Sequence, residues 1–332
     1  MYERFYNLIG KPFQLSPDPA FFYGSRGHKR AAAYLEYGVE QGEGFIVITG
    51  EVGAGKTTLV RNLFRSLPLN RVVAAQIVST QLDANDMLGA VCSAFGLGTE
   101  GGKAERLFRL EKHLQACQRA GKRCLLVVDE AQNLSPATLE ELRMLSNFQS
   151  DSGSLLQSFL VGQPEFRDMF QGDAMRQLRQ RVIATCHLGP LNADETREYI
   201  EHRLRKVGWE QDPSFTDAAF DALHRYSEGV PRRINTVCDR LLLMASLEER
   251  HEIDADGVQE VVDELDQDFG VREQIPAPDA LQPPTDDPPA PTPPASSQPA
   301  DDATHTAAQL ERFASYTTAV SRRILKNLRQ RH

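Results

Sequence analysis

The chain has 332 residues, 41% hydrophobic and 25% charged, which suits about two globular domains or one large domain with appendages. Its formal charge of −9, from 46 acidic against 37 basic residues, disfavours DNA as a general partner while leaving room for a local basic patch. No run of about 18 apolar residues occurs and no apolar segment follows Met1, so neither a membrane span nor a secretory leader is expected, and the cytoplasm is the expected location.

Up to about residue 190, short apolar runs alternate with helical patterns. The runs cover residues 45–49, Val72–Val78, 124–128, 155–161 and 182–186. Helices are expected over Lys56–Ser66, 84–95, 104–119 and 136–148. Strands alternating with helices predict a parallel sheet covered on both faces. Beyond residue 190 only helical patterns follow, over 194–207, Asp217–Ser227, 231–249 and 255–266. The cysteines at 92, 117, 124, 186 and 238 are odd in number and none stand at CxxC spacing, which reads as buried thiols in a reducing compartment.

Gly50-Glu51-Val52-Gly53-Ala54-Gly55-Lys56-Thr57 matches G-x-x-x-x-G-K-[ST], behind an apolar run and ahead of a helical one that begins at Thr58. Glycines let backbone N–H groups converge on phosphate oxygens, and the helix N-terminus adds partial positive charge. Lys56 is expected on the β- and γ-phosphates and Thr57 on Mg²⁺. The apolar run 124–128 ends in Asp129-Glu130, an acidic pair at the carboxyl end of a neighbouring strand. Asp129 is expected on Mg²⁺, and Glu130 as the base that polarises the attacking water. ATP is the expected nucleotide, since no Asn-Lys-x-Asp pattern of the guanine-selective type occurs.

Gln163, just after the run 155–161, is placed between the phosphate loop and the acidic pair as a γ-phosphate sensor. Pro231 opens the longest helix of the second unit, so Arg232 in its first turn can reach back over the nucleotide and couple nucleotide state to domain angle. Arg233 is its alternative. Arg176, Arg179 and Arg181 precede the run 182–186, and Arg181 is the expected arginine finger acting on a neighbouring subunit.

Residues 271–305 are rich in proline, with ten of the chain's 19 prolines between Pro276 and Pro299, and read as a disordered linker. Residues 306–332 carry Leu310, Phe313, Thr317, Val320 and Ile324 at helical spacing, with six basic residues against Glu311. A basic amphipathic helix on a tether suits docking to a protein or an anionic membrane surface.

In order along the chain, Lys11-Pro-Phe-Gln-Leu-Ser-Pro-Asp-Pro-Ala-Phe-Phe-Tyr23, the phosphate loop, Val127-Val-Asp-Glu-Ala-Gln-Asn-Leu134, Val161-Gly-Gln-Pro-Glu-Phe166 and Gly229–Asn235 resemble the AAA+ ATPases of the general secretion pathway protein A (ExeA) type. The narrower stretches 78–82, 141–148 and 180–183 are similar to the ATPases associated with XrtA/PEP-CTERM (exosortase) systems, which are linked to exopolysaccharide export. The resemblance implies an AAA+/ASCE P-loop core over 1–190, a small all-helical lid over 191–270, and an ATP-driven accessory or assembly factor. Secretion-type members follow the ATPase with a transmembrane helix and a periplasmic part; the linker and basic helix stand in their place, so any membrane association is expected to be peripheral or through an inner-membrane partner. The resemblance also places Phe22, Tyr23 and His28 near the adenine. The rival expectation is a DNA-handling AAA+ module of the transposition-accessory kind, against which the net charge weighs.

Overall fold

The apolar runs of the first half become five parallel strands: β1 (Phe45–Gly50), β2 (Val72–Val78), β3 (Arg123–Asp129), β4 (Leu156–Gly162) and β5 (Val182–Leu188). The computed structural model describes residues 1–78, 82–150 and 153–269, within a single unit spanning Met1–Val271. The proline-rich linker and the basic helix expected at 306–332 lie outside the described residues.

The strand order is β2-β3-β4-β1-β5. The acidic pair therefore does not sit on the strand next to the phosphate loop; β4 lies between β1 and β3. All the strands end at the same edge, so Gly50, Asp129 and Gly162 share one rim of the sheet. In a doubly covered sheet this carboxyl rim is where ligands bind.

Successive side chains of a strand face opposite sides, and here both sides are buried. Phe45 and Val47 join Leu126, Val128 and Leu160 in one core, while Ile46 and Ile48 join Leu125, Val127, Phe159 and Val161 in the other. The first core is closed by helices α3 (Ala84–Ala94), α4 (Lys103–Arg119) and α5 (Pro136–Leu145), the second by α1 (Arg26–Gln41) and α2 (Lys56–Ser66). Each fully buried Ile or Leu contributes about 1.5–3 kcal/mol to the stability of the sheet that carries the site. The helix starts obey local chemistry: Ser25 caps α1, Asp83 caps α3, and Ser135 followed by Pro136 starts α5. Helix α6 (Pro164–Gln171) follows β4, with Gln163 at the position before its first turn and no side-chain cap.

Beyond β5 come α7 (Ala193–Arg205), α8 (Asp217–Ser227), α9 (Pro231–Leu247) and α10 (Ala255–Phe269). They enclose a third core that also takes in Tyr2, Tyr6, Leu8 and Phe13 from the start of the chain. Two residues on each of two segments, Ser214–Phe215 and Glu252–Ile253, pair in parallel beside these helices. The N-terminal residues thus pack with the helical end of the chain rather than with the sheet.

Candidate functional site

The chain turns from β1 into α2 through Gly53 and Gly55, both in the left-handed region at φ +86° and +94°. Only glycine adopts such values without a Cβ penalty, and a loop so curled lets backbone N–H groups converge on an anion. Lys56 opens α2 and folds back over the loop, its Nζ donating to the carbonyls of Gly50 at 2.7 Å and Glu51 at 3.0 Å. It is 6% exposed, and burial lowers its pKa from the ordinary value.

Thr57 Oγ1 donates to Asp129 Oδ2 at 3.3 Å across the sheet rim. Asp129 is 2% exposed, and burial raises its pKa, partly offset by the Glu130 backbone N–H, Thr57 and Lys56. In octahedral magnesium at about 2.0–2.1 Å, adjacent ligand oxygens stand about 3 Å apart, so this hydroxyl and carboxylate fit as two of its ligands.

Glu130 takes a left-handed backbone, φ +56°, a strained conformation for a non-glycine residue and one that concentrates at functional sites. Its Oε2 accepts from Gln163 Nε2 at 3.2 Å and from Gln132 Nε2 at 2.6 Å. Gln132 also accepts the Gln163 backbone N–H at 3.0 Å, closing a ring of three side chains between β3 and β4. Gln163, expected between loop and carboxylate, reaches the Glu130 carboxylate; Gln132 is not among the expected residues, its only signal being its position two residues after Glu130.

Arg232 comes to the same place from α9. Its N–H donates to the Gly53 carbonyl at 3.3 Å, so the first turn of α9 sits directly on the phosphate loop. Arg233 instead pairs with Glu228.

These groups surround a cavity of about 220 Å³ lined by Gly53, Gly55, Lys56, Thr57, Thr58, Val52, Glu130, Gln163 and Arg232. Gly50, Glu51, Ala54 and Asp129 supply the loop and strand backbone behind it. Phe22, Tyr23 and His28 line it too. His28 is buried under the loop, its Nδ1 on Ser25 Oγ at 2.8 Å, its ring edge-on to Phe22 at 5.7 Å, and its other side hydrogen-bonded to the Ala54 backbone. Burial lowers its pKa below the ordinary 6.5.

The opposite wall was not visible in the sequence. Residues Gln14–Asp18 line the cavity, and Arg203 of α7 anchors this strap by donating to the Pro12 carbonyl at 2.6 Å and the Gln14 carbonyl at 3.4 Å. Arg203 is 6% exposed, stacks over Phe21 and Tyr199, and donates to Tyr199 Oη at 2.7 Å. Asn235 Nδ2 adds a second bond to Gln14 at 3.4 Å.

Arg181 is not in this constellation. It lies at the start of β5, beside Phe45, whereas the loop begins at Gly50 beside Leu188 at the other end. Its Nη1 donates to Ser146 Oγ at 2.7 Å. Arg179 binds the carbonyls of Phe170 and Gly172, and Arg176 is exposed.

Residues 39–170 match the family model of an AAA domain. Over 255 residues the chain is 42% identical to general secretion pathway protein A of Aeromonas hydrophila, a match covering 76% of this chain and 46% of that protein. Over 166 residues it is 26% identical to an uncharacterized HTH-type transcriptional regulator of Methanocaldococcus jannaschii, covering 48% of this chain and 40% of the other. The chain thus spans less than half the length of these curated relatives. Among solved structures, the Aeropyrum pernix ORC2 protein superposes with a TM-score of 0.56 at 18% identity, covering 75% of this chain and 72% of that one. The Drosophila ORC bound to DNA gives 0.55 at 17% identity, covering 75% and 63%. Among the described residues no helix is long and apolar enough to cross a membrane. The fold is that of P-loop NTPases, residues 39–170 match an AAA domain, and in sequence the chain is similar to general secretion pathway protein A.

Proposed function

We propose that this chain binds ATP with Mg²⁺, hydrolyses it, and uses the cycle as a switch in assembling a secretion-type export apparatus. The observation that carries the reading is the meeting of Lys56, Thr57, Glu130, Gln163 and Arg232 around one cavity, from two parts of the chain. Lys56, released from the Gly50 and Glu51 carbonyls, would neutralise the β- and γ-phosphates. Thr57 and Asp129 would hold Mg²⁺, which supplies charge neutralisation at the transferring phosphate. Glu130 would orient the attacking water, and Gln163, already on the Glu130 carboxylate, would report the γ-phosphate to it. Arg232, seated on the loop from α9, would carry the change in phosphate charge into the helical part of the chain, whose extent we assign as residues 191–270.

The finer reading is that the partner belongs to exopolysaccharide export linked to PEP-CTERM and exosortase systems, reached at the cytoplasmic face of the inner membrane through the basic segment 306–332. Its support is the motif resemblance at 78–82, 141–148 and 180–183. An arginine acting in trans implies self-association. With Arg181 on Ser146 and Arg179 on backbone carbonyls, exposed Arg176 becomes the better candidate of the three for that role.

The test is Glu130→Gln. Turnover is expected to fall about 10²–10⁴-fold with nucleotide affinity retained; wild-type turnover would move the base elsewhere. The stalled variant is then used to capture partners with and without ATP. An inner-membrane or polysaccharide-assembly protein held only with ATP supports the reading. DNA held instead favours the DNA-handling alternative, to which the match with a protein named as an HTH-type regulator lends some support and the charge of −9 none.

A further inference from the structure

Helix α4 carries His113 and Cys117 one turn apart, on the same face. The chain then reverses through residues 120–122, with Lys122 N–H donating to the Cys117 carbonyl at 2.8 Å, and enters β3. This short return brings Cys124, the second residue of β3, against Cys117, close enough for their thiols to interact. His113 Nε2 stands 3.5 Å from Cys117 Sγ. The ligand atoms of all three residues lie within 4.8 Å of one another, and among the described residues no other group of this kind occurs. Sequence spacing alone gave no hint of it, because the three are assembled by a helix, a turn and a strand rather than by a CxxC step.

We infer that His113, Cys117 and Cys124 form a binding site for a zinc-class divalent cation. Two sulfurs and one imidazole nitrogen, with no carboxylate among them, are the donors such a cation takes and that magnesium and calcium refuse. Tetrahedral zinc, at about 2.3 Å from sulfur and 2.0–2.1 Å from nitrogen, holds its ligand atoms roughly 3.5–3.8 Å apart, so a change of about 1.3 Å at most in any separation closes the set. Charge favours a dication. Both thiols are buried, and a divalent ion with two thiolates and a neutral imidazole is net neutral, whereas a monovalent ion would leave a negative charge in the core. Burial keeps the imidazole in its neutral, ligating form and holds the Cys124 thiol protonated until metal displaces the proton. Since only thiolate ligates, metal binding displaces thiol protons. His113 is only partly buried, which gives water access to the fourth position. The site pins the end of α4 to the start of β3. Asp129 lies five residues further along β3, about 16 Å away, so the site is separate from the nucleotide cavity.

The test uses the intact chain, reduced and stripped of metal, titrated with zinc alone and with cobalt(II) as a spectroscopic stand-in. Expected are one zinc per chain, release of protons, and a thiolate-to-cobalt charge-transfer band that zinc abolishes. X-ray absorption of the zinc form should show two sulfurs at about 2.3 Å and nitrogen at about 2.0–2.1 Å. Cys117→Ser/Cys124→Ser should bind none and keep its ATPase rate, while Cys92→Ser, altering a buried cysteine outside the group, should still bind one. The wild-type spectra decide the matter even if the double variant misfolds. No stoichiometric uptake by the wild type, or a bound zinc with no sulfur in its shell, overturns the proposal.

Discussion

Replacing Gly53 by alanine puts a methyl group where α9 already lies. The added Cβ would stand 2.4 Å from Arg232 Cβ, at a backbone φ of +86°. Carbon atoms rest at about 3.5–4.0 Å, so the phosphate loop and the first turn of α9 must separate by at least about 1 Å. Two costs add. A side chain in the left-handed region costs about 1–2 kcal/mol, and overpacking costs about 1–3 kcal/mol, giving roughly 2–5 kcal/mol. Gly96 supplies the control: its φ is +73°, and a Cβ there meets nothing within 4 Å. Gly96→Ala should therefore lose only the first part, about 1–2 kcal/mol. Urea unfolding of both variants and of Arg232→Gly, alone and combined with Gly53→Ala, measures the difference. The double variant should recover most of the collision term, since it removes the atom that is struck. Should Gly53→Ala cost no more than Gly96→Ala, or should Arg232→Gly give no recovery, the contact between the loop and α9 is not the one described.

Lys56→Ala removes charge-assisted bonds to phosphate and should weaken ATP binding about 10- to 100-fold by calorimetry; unchanged affinity would reject the phosphate-loop assignment. Gln132→Ala frees one side of the Glu130 carboxylate and should lower kcat about tenfold with nucleotide affinity unaltered, a split that simple destabilisation would not produce. His28 binds its proton more weakly folded than unfolded because it is buried. Its contribution to stability is thus full above pH about 6.5 and is lost as the pH falls through the lower folded value. The wild-type Tm should accordingly drop more between pH 7 and pH 5 than that of His28→Gln, and parallel curves would count against a neutral imidazole under the loop.

Several features of the site were legible residue by residue. Gly50–Thr57 declared its own conformation, because the glycines at 53 and 55 occupy angles other residues avoid and Lys56 must follow them. Asp129 and Glu130 stood out because the five apolar residues before them, short and bounded by polar residues, read as a buried strand. Helix α1 was missed, for its buried face is made of His28, Ala31, Leu35 and Gly38, too sparse and small to stand out as a hydrophobic stripe. Arg203 was missed because nothing in its immediate neighbours distinguishes it from a surface residue, and Gln132 because its place two residues after Glu130 is the one mark it carries.

Local chemistry along the chain was sufficient for the loop, the strands, most helix limits and the acidic pair, since each depends on neighbours within a turn or a strand length. The order of the strands was another matter. Five buried parallel strands have similar apolar sides, so no pattern within any one of them says that β4 lies between β1 and β3. That insertion is what sets Gln163 between Lys56 and Glu130. The same holds for the strap at Gln14, bonded to Arg203 189 residues away, and for the place of Arg181 at the end of the sheet opposite the loop, on Ser146. Such contacts arise from how whole layers pack, a sum over many side chains that no short stretch of sequence contains.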